Sequence, residues 1–370
     1  MTALRTLFLA ISLVVIGFLV GYGFQSRSAQ QQRQQPVATA VATPQAPQIK
    51  GLHSSPDGKF LAFTGVYARS EQAGLWVLNP QTGTAKDSPS PAGWQDFVTQ
   101  WRDDGSLLVE REKIPRPVAE ATGGLYTVPV DRSKTSSGEL EPVRQGDLPD
   151  GEKIITGLIA PGGELIIKTR REPKALFKMN GSAQLIDRAE YTYGQNRPVV
   201  ENGKLVFYVV RNIPGQTRSS ALYRVIEQKA QQLSPVWQDV SWSYVAPSGK
   251  QIIVARRDEN GIDWNWTLYR IGVAKIETVT SATIPADVIS VYWSPDEKRV
   301  LGAAGEKLWI IDVPSLKTTQ LGNKADWNAD DASWMGSQTV AIGESGEIWR
   351  VDVPSGKAAK VWRFPKEFWD

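Results

Sequence analysis

A single histidine, His53, and no cysteine in 370 residues remove much of the usual chemistry of sites. Without a thiol there is no disulfide, thiolate zinc site, cysteine nucleophile or acylated lipoprotein cysteine. Serine hydrolysis of the α/β-hydrolase kind needs a Gly-x-Ser-x-Gly elbow and a histidine downstream of it. The nearest approach is GESG (343–346), and His53 precedes every other candidate. Carboxylates alone can hold calcium, and DENGID (258–263) and ADWNADD (325–331) supply clustered acids. Neither matches the ligand spacing and glycine of an EF-hand loop, and no glycine-rich phosphate loop precedes a helix. The residues therefore point to no catalytic group, no metal site and no cofactor.

Arginine is the remaining chemical signal. Four apolar stretches end in it, at Arg111, at Arg170 with Arg171, at Arg211, and at Arg256 with Arg257. A row of guanidinium forks suits carboxylates on a protein, peptide or anionic polymer. Glu110, Glu112, Glu172, Asp258 and Glu259 offset part of that charge. In DWNW, Trp264 and Trp266 alternate onto one side of a strand, either as an aromatic anchor for a partner or as core. These eight residues form the candidate partner-binding set.

The elements that must position them repeat. A short apolar strand with a third-position aromatic recurs as GLWVL (74–78), GLYTV (124–128), ALFKM (175–179), ALYRV (221–225), TLYRI (267–271), KLWII (307–311) and EIWRV (347–351). The aromatics Trp76, Tyr126, Phe177, Tyr223, Tyr269, Trp309 and Trp349 lie 40–51 residues apart, close to the period of propeller blades. Turns hold the same phase: SPDG at 55, RDDG at 102, APGG at 160, VENG at 200, APSG at 246, SPDE at 294 and WMGS at 334. Pro fixes φ and Gly takes positive φ, so such turns reverse the chain tightly between strands. A four-stranded blade has two apolar faces and is stable only when neighbouring blades cover both. The expected fold is all-β, a seven-bladed β-propeller over 50–370. Six or eight blades are alternatives, because WMGS is degenerate and the stretch after Asp131 is long. The repeated aromatic is expected to wedge between blades.

WSPDEKRV (293–300) and SSPDGKFLAF (54–63), each followed by a Leu-Trp strand, resemble the TolB-type, WD40-like propeller repeat. The resemblance implies an extracytoplasmic propeller that mainly binds other proteins. Propellers of this kind also precede the catalytic domain of some serine peptidases.

Residues 1–26 contain an uncharged apolar run, Thr6–Ser26, of the length a membrane-crossing helix needs. The run exceeds a signal-peptide core, so a retained signal-anchor is expected, with a secreted product if it is cleaved. Residues 27–49, rich in Gln, Pro and Ala, read as a disordered linker. Residues 1–50 hold four of the 42 basic groups and no acid, which leaves 38 basic against 39 acidic groups beyond them. A neutral folded part argues against nucleic-acid binding. The expected function is a membrane-tethered, non-catalytic module for protein interaction or envelope assembly, with protein partners of acidic surface. The alternatives are a calcium-dependent, lactonase-like hydrolase and a ligand- or glycan-sensing envelope protein.

In the usual blade order the SPDG-like turns join first and second strands on one face, and second-to-third-strand loops emerge on the other. Those loops are long in the first repeat (65–74), the second (110–124), the fourth (211–220) and the fifth (256–266), and very short in the last two. Variable loops on a rigid scaffold commonly carry binding.

Overall fold

The computed structural model describes residues 46–370 apart from 68–72, 114–123, 132–135, 144–147, 150–151, 153, 162, 170–172, 181, 192, 196–197, 258–263, 285–287, 305–306, 323–326, 328 and 370. Thr6–Ser26 and most of the linker lie outside that range. Among the described residues no helix is long and apolar enough to cross a membrane.

The repeats form the seven sheets of a β-propeller. Blade 1 is Gln48–Ser54, Leu61–Val66, Ala73–Asn79 and Thr84–Pro89; blade 2 is Trp94–Trp101, Leu107–Lys113, Gly124–Val128 and Glu141–Pro142. Blade 3 is Ile154–Ile159, Leu165–Thr169, Lys174–Asn180 and Ser182–Ala189; blade 4 is Pro198–Glu201, Lys204–Asn212, Ser219–Ile226 and Lys229–Gln232. Blade 5 is Val240–Val245, Gln251–Arg257, Trp264–Ile271 and Ile276–Ile284; blade 6 is Val288–Trp293, Arg299–Ala304, Lys307–Asp312 and Lys317–Gln320. Blade 7 is Ala329–Trp334, Thr339–Glu344, Glu347–Asp352 and Ala358–Arg363. The degenerate WMGS turn still reverses the chain, with Met335 N donating to Thr339 O at 2.8 Å.

Burial follows the blade logic. Among the described residues seven buried clusters are present, and each is built from two neighbouring blades, one of them joining blade 7 to blade 1. The repeated aromatic behaves in two ways. Trp76, Phe177 and Tyr269 are buried between blades as expected, whereas Tyr126 and Tyr223 are only half-buried and each lies under an arginine.

The turn chemistry is local and repeated. Ser55 Oγ donates to Asp57 Oδ1 at 2.6 Å and accepts from Phe60 N at 3.0 Å. Ser294 makes the same pair of bonds with Asp296 (2.7 Å) and Arg299 N (3.0 Å). Gly58 occupies the left-handed position of the first turn (φ +69). Glu297 takes that position in SPDE (φ 57), at a conformational cost of about 1–2 kcal/mol. Its carboxylate accepts from Ser248 N and, at 2.7 Å, from Ser248 Oγ, tying the turn of blade 6 to that of blade 5.

Inner strands are stitched to one another by side chains. Trp101 Nε1 donates to His53 O (2.9 Å), Trp293 Nε1 to Tyr244 O (3.3 Å) and Trp334 Nε1 to Tyr292 O (2.8 Å). Gln100 takes both backbone groups of Ile159, accepting from N at 2.9 Å and donating to O at 3.2 Å. Between blades 7 and 1, Leu52 N donates to Asp331 Oδ2 (2.9 Å) and Ser54 N to Ser333 Oγ (3.1 Å). Each bond ties a side chain to the backbone of a neighbouring blade's inner strand.

Two departures stand out. Tyr193–Gln195, just before blade 4, runs parallel to the first strand of blade 5 and pairs Tyr193 with Trp242. In blade 2 the fourth strand shrinks to Glu141–Pro142, because the hairpin Val130–Asp131/Ser136–Ser137 intervenes and packs on the outer strands of blade 1. The long stretch after Asp131 is thus an insertion within a blade.

Candidate functional site

Strand direction fixes what each face carries. Second-to-third-strand loops, the start of blade 1 at Gln48 and the end of blade 7 at Arg363 share one face, and the SPDG-like turns lie on the opposite one. The long loops at 68–72, 114–123 and 258–263 lie outside the described residues, as do Arg170, Arg171 and the DENGID acids. The strand ends that support the loops are described.

In blade 2 the antiparallel register sets Asp96 opposite Arg111. Arg111 Nε donates to Asp96 Oδ1 at 2.7 Å and Nη2 to Oδ2 at 2.9 Å, a bidentate pair on an almost fully buried carboxylate. That bond holds the guanidinium still more firmly in its charged form. Its carbon lies 4.9 Å from the centre of the Tyr126 ring.

Blade 4 repeats the arrangement with a carboxylate from the neighbouring blade. Arg211 Nε donates to Asp187 Oδ2 at 3.0 Å, and Nη2 donates to Oδ1. Asp187 belongs to the outer strand of blade 3, so the pair crosses a blade boundary. Tyr191 OH donates to Asp187 Oδ2 at 2.8 Å, and burial followed by the adjacent carboxylate pushes that hydroxyl well above the ordinary tyrosine range. Arg211 lies 4.8 Å over the Tyr223 ring.

In blade 5, Arg257 is exposed and sits 5.3 Å over the Trp264 ring, directly opposite in register. Arg256 is half-buried, and its Nε finds no hydrogen-bond partner among the described residues. Trp264 and Trp266 do project to one side of their strand, but that side is the core between blades 5 and 6, where they are 9% and 1% exposed. Neither is a surface anchor beyond the upper edge of the Trp264 ring that Arg257 covers. Their neighbours explain why: Tyr244, Leu268 and Ile284 present an apolar slot with room for both rings.

Of the expected arginine row, Arg111, Arg211, Arg256 and Arg257 are described. Arg111 and Arg211 are neutralised by Asp96 and Asp187, and what recurs in blades 2, 4 and 5 is a guanidinium stacked on an aromatic ring at the same end of the blade. Sequence reading missed Asp96, Asp187, Tyr191, Tyr126 and Tyr223 as members of this site. A signal existed for two of them, since Tyr126 and Tyr223 sit diagonally across the hairpin from Arg111 and Arg211.

Of the ADWNADD carboxylates only Asp331 has a described side chain. Asp331 accepts from Leu52 N, Tyr292 OH (2.9 Å) and Ala332 N (2.7 Å), so its oxygens are committed to the ring. Among the described residues no three His, Asp or Glu side chains gather as a metal-holding group. On the opposite face a groove of about 540 Å³ lies between blades 6 and 7, lined by Arg299, Asp312, Lys317, Thr319, Ser355 and Lys357 among others.

No family model and no curated protein matches the sequence. Solved structures match the fold. The chain is similar to a puromycin-hydrolysing peptidase of Mycobacterium tuberculosis at TM-score 0.59 and 12% identity, over 89% of this chain and 55% of that one. It thus spans about half the peptidase's length. It is similar to an oligogalacturonate lyase of Vibrio parahaemolyticus at TM-score 0.58 and 14% identity, over 86% of this chain and 93% of that one. A third similar chain, KlAtg21 in complex with the coiled-coil of AgAtg16, has TM-score 0.50 and 10% identity, over 85% and 96% of the two chains. Identities this low establish the propeller fold and nothing about activity.

Proposed function

We propose that this chain is a membrane-tethered, non-catalytic interaction module whose long-loop face docks a protein partner on the extracytoplasmic side. The observation that supports it is the repeated guanidinium–aromatic stack of Arg111 on Tyr126, Arg211 on Tyr223 and Arg257 on Trp264. Arg, Tyr and Trp dominate the energetics of protein interfaces. Stacks already fixed by Asp96 and Asp187 lose little side-chain entropy when a partner covers them. Because two of the three guanidinium groups have their own carboxylates, the partner surface that fits is flat and amphipathic, with acidic groups needed only opposite Arg257.

The test is site-specific photo-crosslinking in cells that make the full chain. A crosslinking residue replaces Gln216 or Thr217 on the long-loop face, and Lys59 or Lys298 on the turn face; all four positions are exposed. A discrete crosslinked protein from the first pair and none from the second is the expected result. Products confined to the second pair would overturn the assignment and move attention to the groove side.

A further inference from the structure

We propose that Arg256 is a carboxylate-binding subsite on the long-loop face, at the boundary of blades 4 and 5, and that the docked protein supplies the acid. The inference rests on the docking role proposed above and names the chemistry that the partner brings there. The guanidinium–aromatic stacks call for an acid only opposite Arg257; Arg256 lies outside them and adds a second, deeper requirement.

The blades supply their own comparison. Arg111, Arg211 and Arg256 all lie near the end of a second strand, on the face that packs on the preceding blade. Val109, Val209 and Val254, two residues earlier on that face, belong to the clusters shared with blades 1, 3 and 4. Arg111 is met by Asp96, directly opposite on the inner strand of its own blade. The residue opposite Arg256 on the inner strand of blade 5 is Val240. Arg211 is met by Asp187, from the outer strand of the preceding blade. For Arg256 that strand is Lys229–Gln232, which holds no acid, and Asp239, the residue before Val240, pairs with Arg218 at 3.4 Å. Both positions that supply a carboxylate elsewhere are therefore without one here. The Arg256 Nε is nonetheless buried, with no hydrogen-bond partner among the described residues, and an acceptor brought by a partner removes the cost of leaving it unpaired.

The neighbouring amides ask for an acceptor as well. Asn265, directly opposite Arg256 in register and exposed, accepts at Oδ1 from Thr283 Oγ1 at 3.3 Å. Asn212 continues the blade 4 side of the same boundary past Val210 and accepts at Oδ1 from Ser220 Oγ at 3.0 Å. With both oxygens engaged, what the two amides offer a ligand is N–H. An ionised carboxylate only accepts, carries one charge, and matches the planar guanidinium fork.

Two arms test the subsite and the source of its acid. In the first, the full chain in mild detergent, carrying isotope-labelled arginine, is titrated with glutarate. The Arg256 Nε–H resonance is assigned by its absence from Arg256→Lys. It is expected to shift and saturate while those of Arg111 and Arg211 stay in place, and sodium chloride at equal ionic strength is expected to leave it unmoved. A resonance that glutarate does not move overturns the proposal, because the guanidinium is then closed or already held by this chain's own acids, those of DENGID included. In the second arm the crosslinking residue stands at Thr217. Arg256→Gln is expected to lower the yield of the partner adduct by about tenfold or more, and Arg256→Lys, which keeps the charge without the fork, to lower it less. Because Arg256 has no carboxylate of its own, Arg256→Gln is expected to leave the thermal midpoint unchanged, whereas Arg111→Gln, which strands the buried Asp96, lowers it. A midpoint that falls as far in the first variant as in the second overturns the proposal, since Arg256 would then serve the fold. An adduct undiminished in Arg256→Gln overturns the partner as the source of the acid and leaves the docking face standing. A wild-type chain that gives no adduct at Thr217 removes the docking face itself, and the partner's acid with it.

Discussion

At the scale of residues, the chemistry of this chain is mostly the satisfaction of polar groups at blade ends. The arginines were legible in the sequence as a pattern, and their carboxylates were not. Asp96 lies 15 residues before Arg111 and Asp187 lies 24 before Arg211; strand register brings the first pair together and the packing of blade 3 on blade 4 the second. Tyr67 shows how such groups set pH dependence. It accepts from Trp76 Nε1 at 3.1 Å and stacks on Phe368 at 4.4 Å. Burial pushes its hydroxyl up to about 12, with the Trp76 bond opposing the rise and the Asp87 carboxylate adding to it. A folded pKa raised above the unfolded value near 10 gives stability that is complete below about pH 10 and lost as pH climbs toward 12. Tyr67→Phe is expected to cost about 1 kcal/mol at pH 8, through the lost bond to Trp76. Between pH 10 and 12 its thermal midpoint is expected to fall less steeply than that of the wild type, by the equivalent of about 2 kcal/mol. Parallel melting curves over that window would show that Tyr67 is not the group responsible.

At the scale of elements, the blade was legible because turn and third-strand aromatic keep phase, and both are local. The tryptophan that precedes the turn in WRDDG, WSPDE and WMGS has a further role that the pattern did not disclose. Trp101, Trp293 and Trp334 each donate an indole N–H to a carbonyl in the inner strand of the preceding blade, so the residue is a stitch between blades as well as part of the core. Trp334→Phe keeps most of the buried surface and removes the bond to Tyr292 O. The expected cost is about 1 kcal/mol in chemical denaturation, for the lost hydrogen bond, against about 3–5 kcal/mol for Trp334→Ala. A Phe variant as damaged as the Ala variant would assign the residue's contribution to ring volume rather than to the stitch. The pairing of Tyr193–Gln195 with blade 5 was not legible at all. It depends on a neighbour that lies some fifty residues further on in register, and no periodicity reports that.

At the scale of the whole molecule, the question is how a ring closes when its first and last strands meet at one seam. Blades 1 and 7, the two that meet at the seam, are each contiguous in sequence, blade 1 beginning at Gln48 and blade 7 ending at Arg363, so no described strand is exchanged across the seam. Closure falls instead to side chains at two radii. Inside, Asp331 and Ser333 hold Leu52 N and Ser54 N. Outside, Phe364 inserts among Phe63, Tyr67, Trp76 and Trp362 with centroids 4.6–6.2 Å away. Gly65 makes room for it, since a Cβ there would meet the Phe364 ring at 2.6 Å. Beyond Phe364, Trp369 Nε1 donates back to Phe364 O at 3.0 Å, and Arg363 covers the Trp369 ring at 4.1 Å. The final residues thus perform the closure that an interlocked strand provides in other rings. Phe364→Ala leaves an aromatic-sized void in one of seven otherwise similar interfaces, at a cost of about 3–5 kcal/mol. Because that loss is confined to the seam, hydrogen exchange is expected to quicken first in Gln48–Ser54 and Ala358–Arg363, with the strands of blades 3 to 5 retaining their protection. Exchange that quickens evenly around the ring would mean that the seven interfaces open as one cooperative unit, and that the C-terminal aromatics contribute to the core without serving as a clasp.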